Sequence, residues 1–258
     1  MATPLSLRVF EAEARIYRHT WRGSVISSFL NPILYMIAMG VGLGSLVDEN
    51  VSAGVDGVSY LAFIAPGILV ATAMQTGATE GAWKVLGGIL FDRTWESRLA
   101  SPIGIKQLLL GHLLWSTARV FFVSLVFALV VVAFGVAPLV QSLLAIGPAL
   151  LVGAAMLSAT TAFTVRLKSY AGIPMFFRFI VIPMFLFSGA FFPVSFLPGW
   201  MEAFAVATPM FHGVELARAI MIGQIPVVTW WISVLYLVAW IIGFGVMAIA
   251  PLRRKLTP

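Results

Sequence analysis

The 258-residue chain has no cysteine, so a disulfide framework, a zinc–thiolate site and a thiol redox pair are all excluded. Charge is nearly as scarce. Only 10% of residues are Asp, Glu, Lys or Arg, where a soluble globular chain carries about 25%. Phosphate-cradling loops are missing too. No GxxxxGK[ST] occurs, nor any GxGxxG after a strand, so no nucleotide site is legible and no cofactor is expected on the chain itself. Histidine is limited to His19, His112 and His212, far apart and without HExxH or paired carboxylates, so no metal site is expected. An intramembrane hydrolase would have His112 as its sole candidate base, and no catalytic residue is assigned.

What is present is apolar. Hydrophobic residues make up 60% of the chain, more than one water-facing globule of this size can enclose. This leaves a polytopic membrane protein. A helix crosses the hydrocarbon with about 20 apolar residues, and six stretches qualify: 24–46, 60–80, 108–134, 139–165, 172–192 and 228–250. They lack the alternation of barrel strands, so the expected fold is all-α with six spans in a single membrane domain.

The net charge of +6 acquires meaning from topology. With both termini on the cytoplasmic side, the inner segments hold Arg8, Arg15, Arg18, Arg22, Lys84, Arg93, Arg98, Lys106, Arg166, Lys168, Arg253, Arg254 and Lys255. Those are thirteen of the sixteen basic residues, against Arg218 alone outside. Such a bias fixes orientation under the positive-inside rule and identifies membrane lipid, not nucleic acid, as the basic residues' partner. The first 23 residues lack a signal-peptide pattern, so the first span is expected to act as its own insertion signal.

Three segments lie outside the spans. In residues 1–23, Leu7, Phe10, Ala14, Tyr17 and Trp21 recur at helical spacing beside Arg8, Glu11, Arg15, Arg18 and Arg22. An aromatic face next to an arginine face suits a helix in the headgroup layer, with a first helix packed on the bundle as the alternative. Between spans two and three, Phe91, Trp95 and Leu99 share one helical face, with Asp92, Arg93, Glu96 and Arg98 charged around it. Gly87-Gly88 and Pro102 punctuate that short helix. A tryptophan among charges of both signs is a candidate protein-binding hot spot. Residues 193–226 form an outer segment divided by Pro193, Pro198, Pro209 and Pro226, yet carrying Phe196, Leu197, Trp200, Phe204 and Phe211. Two short helices dipping back into the outer leaflet would explain that mixture, with a folded hairpin above the bilayer as the alternative.

Three charges fall within spans, where they are costly: Glu80, Arg119 and Arg178. The expectation is that Glu80 pairs with one of the two arginines, locking helices or gating a route. Glycines at GxxxG spacing, Gly40/Gly44 and Gly77/Gly81, allow close helix contact. Six spans without an acidic relay or a nucleotide site suggest a pair of chains around a shared route, driven by a separate subunit. A proton- or ion-coupled secondary transporter working alone remains the alternative.

The residues resemble a family. Asn31-Pro32 with Gly40-Val41-Gly42-Leu43-Gly44, then Val55-Asp56-Gly57-Val58-Ser59-Tyr60-Leu61-Ala62-Phe63, and Arg93-Thr94-Trp95-Glu96 are carried in order. After these come Pro183 through Pro193 (PMFLFSGAFFP), Leu197-Pro198, and Thr208-Pro209-Met210 with Glu215 and Arg218. The chain is similar to membrane-spanning subunits of type-2 ABC exporters, most closely nodulation-factor (lipo-oligosaccharide) export permeases, with drug-export permeases as near relatives. The resemblance implies a dimer of permeases, identical or related, in a bacterial cytoplasmic membrane. It also implies two ABC ATPase subunits, which would bind the ATP and magnesium. Phe91, Asp92, Arg93, Trp95, Glu96, Arg98 and Leu99 would then form the coupling helix that touches the ATPase. The outer hairpin would carry Pro193, Pro198, Pro209, Glu215 and Arg218. The substrate-binding residues stay unassigned, and the implied cargo is an amphiphile: a lipo-oligosaccharide, a glycolipid or a hydrophobic drug.

Overall fold

In the computed structural model, which describes residues 4–44 and 58–256, every regular element among those residues is helical. Helix α1 spans Leu5–Tyr35 and runs on as a π-helical stretch, Met36–Leu43. The division expected near residue 23, between an interfacial helix and a first span, is not a break in the backbone. One reason is local: Gly23 is the sole glycine between Leu5 and Gly40, and a single interior glycine costs only about 1 kcal/mol. The expected end of the first span, at 45–46, falls outside the described residues.

Helix α2 spans Tyr60–Leu90, ten residues beyond the expected end at Glu80. Ser59 caps it, its hydroxyl accepting the Ala62 N–H at 3.4 Å. Gly81, Gly87 and Gly88 therefore do not end this helix. They are kept within it because Val85, Leu86 and Ile89 have core partners on the same face. Residues Glu80–Lys84 are wound as a π-helix, a local irregularity that often marks functional positions. A tight turn at 91–93 leads to α3, Thr94–Leu99. Arg93 occupies the left-handed region there, at φ 44°, a conformation costly for a residue with a Cβ.

Helix α4, Ile105–Ala133, is capped at Gly104, whose N–H donates to the Gln107 side-chain oxygen at 2.5 Å. Helix α5 covers Leu139–Thr164 and α6 covers Gly172–Phe187. The fifth apolar stretch was expected to reach residue 192. Instead α6 stops at Phe187, because the chain turns through Gly189 at φ 82°, a conformation glycine alone adopts without cost.

In residues 193–226, a short 3₁₀ turn (Val194–Phe196) precedes α7 (Gly199–Val206) and α8 (Pro209–Ile222). Pro198 flanks α7 as its N-cap and Pro209 opens α8, the positions where a missing N–H is harmless. Two short helices thus stand where the prolines suggested. Helix α9 runs from Trp230 to Leu256. Among the described residues α2, α4, α5 and α9 are long and apolar enough to cross a membrane. At sixteen residues, α6 is about 24 Å long, shorter than a hydrocarbon core of about 30 Å.

Small residues set the packing. A Cβ on Gly81 would stand 2.7 Å from the Leu157 carbonyl oxygen, and one on Gly67 would stand 2.7 Å from that of Ala190. Gly77 meets the backbone of Gly153 in the same way, so α2 and α5 touch backbone to backbone. The buried core around that contact contains Phe63, Ile68, Met74, Phe127 and Met156. Helix α8 slots between α2 and α5: Gly213 faces Val152 of α5 and Val70 of α2. Helix α1 lies along α4, with Val9 lodged over Gly111. Overpacking of such a contact costs about 1–3 kcal/mol or more. Gly77→Leu is therefore expected to lower the thermal midpoint of the detergent-purified chain sharply, whereas Gly147→Leu, at a position open to its surroundings, leaves it unchanged.

Candidate functional site: a buried charge group beside an exposed knuckle

Glu80 is 4% exposed and lies at the first position of the π-helical stretch of α2. A lone carboxylate at such depth is costly, and here it is not alone. Arg119 Nη1 of α4 donates to Oε1, Lys84 Nζ sits 2.9 Å from Oε2, and the Ser116 hydroxyl donates to Oε2 at 3.3 Å. The Arg119 guanidinium also lies 4.9 Å from the centre of the Tyr17 ring on α1. One carboxylate therefore ties three helices together.

The structure brings Glu80 and Arg119 together and leaves Arg178 out. Arg178 is exposed on α6 and makes no hydrogen bond or ion pair among the described residues. Lys84, Ser116 and Tyr17 were not anticipated as members of the group. The i, i+4 spacing of Glu80 and Lys84 was a readable signal; Ser116 and Tyr17 carried none.

Tyr17 and Phe10 both pack edge-on against Trp115, at 5.6 and 5.3 Å between ring centres. The aromatic face of the N-terminal helix thus turns toward α4. Such packing on the bundle is the alternative the sequence left open, and its cause is Trp115, which offers α1 a partner within the chain.

Below this group lies the candidate coupling segment. Trp95 is 2% exposed, packed edge-on against His112 at 5.4 Å between ring centres and seated on Gly88, where a Cβ would be only 2.5 Å away. Its side chain serves the chain's own core and is not available to a partner. Nor do Phe91, Trp95 and Leu99 share one helical face, because the turn at Arg93 separates Phe91 from α3. What stands exposed is a knuckle: Phe91 at 72%, with Asp92, Arg93 and Glu96 beside it. Leu99 is half-buried, packed on the cluster that surrounds Trp95. Arg98 turns inward to the Glu13 carboxylate of α1 at 2.6 Å. Tyr170 backs the knuckle from the next turn, 5.2 Å from the Phe91 ring and 5.8 Å from that of Trp83.

At the opposite end of α2 stands Arg218, 3% exposed. Its guanidinium donates to the carbonyls of Gly189 (2.6 Å), Ala190 (3.3 Å) and Phe63 (3.3 Å), and its carbon lies 3.8 Å from the centre of the Phe63 ring. Arg218 thereby clasps the end of α6 to α2 and α8. The Ser188 and Thr208 hydroxyls, 2.8 Å apart, close the same corner. Glu215 accepts the Val227 N–H at 2.8 Å and so tethers the chain leaving α8. Pro193 leads into the 3₁₀ turn. His212 bonds Ser233 at 3.0 Å, joining α8 to α9; nothing in its sequence neighbourhood signalled that pairing.

Removing one partner of a buried pair strands the other charge, typically at about 3–5 kcal/mol. Glu80→Gln is expected to lower the thermal midpoint markedly and Arg119→Gln less so. The double variant should recover part of the loss, as a double-mutant cycle in detergent would measure. Strictly additive losses would show that the two side chains do not interact.

Residues 8–222 match the sequence profile of a family described as ABC-2 type transporter. Nodulation protein J of Rhizobium meliloti (strain 1021) is 29% identical over 235 residues, covering 91% of this chain and 87% of that protein. Nodulation protein J of Rhizobium leguminosarum bv. trifolii is 30% identical over 240 residues, with 92% and 89% covered. The inner membrane transport permease YadH of Escherichia coli (strain K12) is 22% identical over 241 residues, covering 90% and 91%.

Proposed function

Because the chain belongs to the ABC-2 type transporter family, we propose that it is the six-span permease subunit of an ATP-driven exporter that moves an amphiphile outward across the bacterial cytoplasmic membrane. The cargo we assign is a lipo-oligosaccharide or a similar lipid-tailed molecule, by similarity to the nodulation J proteins. The observation that carries the reading is the knuckle at Phe91–Glu96. It is exposed outward and rigidly seated inward through Trp95, and a protein with no nucleotide site needs such a handle for a motor.

In this reading both termini and the knuckle face the cytoplasm. Two copies of the permease enclose the route, and two ATPase subunits, carrying the ATP and magnesium, grip Phe91, Asp92, Arg93 and Glu96. Force on the knuckle reaches the membrane by two connections. One is the covalent turn into α2, whose next irregular stretch holds Glu80. The other is the Arg98–Glu13 pair into α1, whose Tyr17 stacks on Arg119. Both connections converge on the Glu80 group, which we assign the role of inner lock. At the other end, the α7–α8 hairpin lies in the outer leaflet, and Arg218 holds it to α2.

Two experiments test this. First, the absence of cysteine makes accessibility mapping direct. Ser169→Cys should react with an impermeant maleimide only in inverted vesicles, and Ile225→Cys only in intact spheroplasts; the reverse pattern would overturn the orientation. Second, a soluble ATPase encoded by the same bacterium is expected to co-purify with the wild type. It should be lost from the surface variant Phe91→Ala/Arg93→Glu/Glu96→Arg while the thermal midpoint holds. Trp95→Ala should lower that midpoint, since it opens a cavity under α3. Undiminished ATPase recovery with the surface variant would remove the knuckle as the docking element.

A further inference from the structure

A slot of about 300 Å³ opens between α5, α6 and α9. Its walls are almost wholly apolar, formed by Met156, Phe163, Phe176, Ile180, Trp240 and Phe244 among others. Phe163 and Phe176 stack at 4.7 Å, and Trp240 and Phe244 stand 4.9 Å apart. One side chain in the lining is charged. Arg166 lies at the end of the slot where the basic residues collect, and it is held across the mouth by both walls. Nη1 donates to the Ala162 carbonyl of α5, and Nη2 donates to the Met247 carbonyl of α9 at 3.2 Å.

Arg166 is exposed, and no carboxylate among the described residues pairs with it. Lys84 and Arg119 are spent on Glu80, and Arg98 on Glu13. Lys168 stands exposed two residues further along and adds to the positive field at the mouth. A guanidinium fixed by two carbonyls keeps N–H groups in a fork, the geometry that suits a phosphate.

We propose that this slot holds one acyl chain of an anionic phospholipid of the cytoplasmic leaflet, with Arg166 taking its phosphate. Two of the three walls, α5 and α9, are long and apolar enough to span a membrane, so the medium around the slot is hydrocarbon and its occupant must be apolar. The volume is at the bottom of the range of small-molecule pockets, about 300–1,000 Å³, room for one chain rather than a whole amphiphile. Met156, Met184 and Met247 line it, and unbranched thioethers adapt to a chain of variable kink. With Arg166 and Lys168 both at the mouth, a headgroup of net negative charge is favoured over a zwitterionic one, whose phosphate is the same but whose choline brings a further cation to that place. A resident lipid here wedges α9 against α5, two helices otherwise stitched at this end by Arg166 and by Lys255, which donates to the Val165 and Leu167 carbonyls. The proposal depends on the function assigned above only for the leaflet.

The test uses the full chain in nanodiscs containing phosphatidylglycerol or phosphatidylcholine with a diazirine in the acyl chain, followed by peptide mapping. Phosphatidylglycerol should label residues 156–166, 176–184 and 240–247 about fivefold more than phosphatidylcholine. Arg166→Gln should erase that preference, and Ala159→Phe, which fills the slot, should remove labelling there by both probes. Equal labelling of the wild type by the two probes, or labelling unchanged in Ala159→Phe, overturns the proposal. If Ala159→Phe does not elute as the wild type does, Arg166→Gln decides alone, and an undiminished preference overturns it. With the ATPase bound, label should be indifferent to MgATP turnover; loss on turnover would overturn residence and make the slot part of the export route. Failure to recruit an ATPase leaves the labelling contrast unaffected, so the two readings fail separately.

Discussion

A carboxylate cannot be left unpaired at such depth, and the packing of α1, α2 and α4 around Glu80 follows from how it meets that constraint. Lys84 alone, one turn along the same helix, would make a partial answer, since its side chain reaches outward and remains 35% exposed. Arg119 supplies the second cation from α4, and its guanidinium in turn rests on the Tyr17 ring of α1. Helices α1, α2 and α4 have no covalent reason to be neighbours at this level. They are held there because the alternative is an uncompensated charge, and because an arginine can satisfy a carboxylate and an aromatic face at once.

The other end of α2 answers a different constraint with the same residue type. Where α6 ends at Ser188, backbone carbonyls are freed from helical bonding, and in lipid or in the protein interior they need donors. Arg218 supplies them to Gly189, Ala190 and Phe63 from α8. Between the two arginine-centred junctions, α2 and α5 run in backbone contact over Gly77, Gly81 and Gly153. That contact leaves no room for side chains to slide past one another. Helix α2 is thus clamped at both ends and seated along its length.

Composition and hydropathy were enough to read a helical membrane protein, and prolines at 198 and 209 located α7 and α8 because a proline's effect on helix starts is local. The ends of helices were less legible. Gly87-Gly88 read from sequence as the punctuation before a separate short helix, yet α2 runs through it to Leu90. Whether a glycine ends a helix or makes room for a neighbour depends on what packs against it, here the Trp95 ring. The same holds for Trp95 itself. A tryptophan among charges has the same local pattern whether it points out to a partner or in to a core, and His112, which it meets edge-on, is seventeen residues away on another helix. Glu80 was recognisable as a charge in need of a partner. Choosing Arg119 over Arg178 required knowing that α4 faces α2 while α6 turns Arg178 outward.

These features make α2 the element that joins the two arginine-centred junctions. It runs from the Phe63 carbonyl under Arg218 to the Gly88 seat of Trp95 without a break in helical bonding, and its least regular stretch is Glu80–Lys84. A π-wound turn carries an extra residue that an α-helix of the same length would not, so it can pass along the helix, or be expelled, without unfolding what lies on either side. The ion group and the helical irregularity coincide at the same residue, so the pairs from Glu80 to Lys84 and Arg119 both bridge the π-wound turn and tie it to α4.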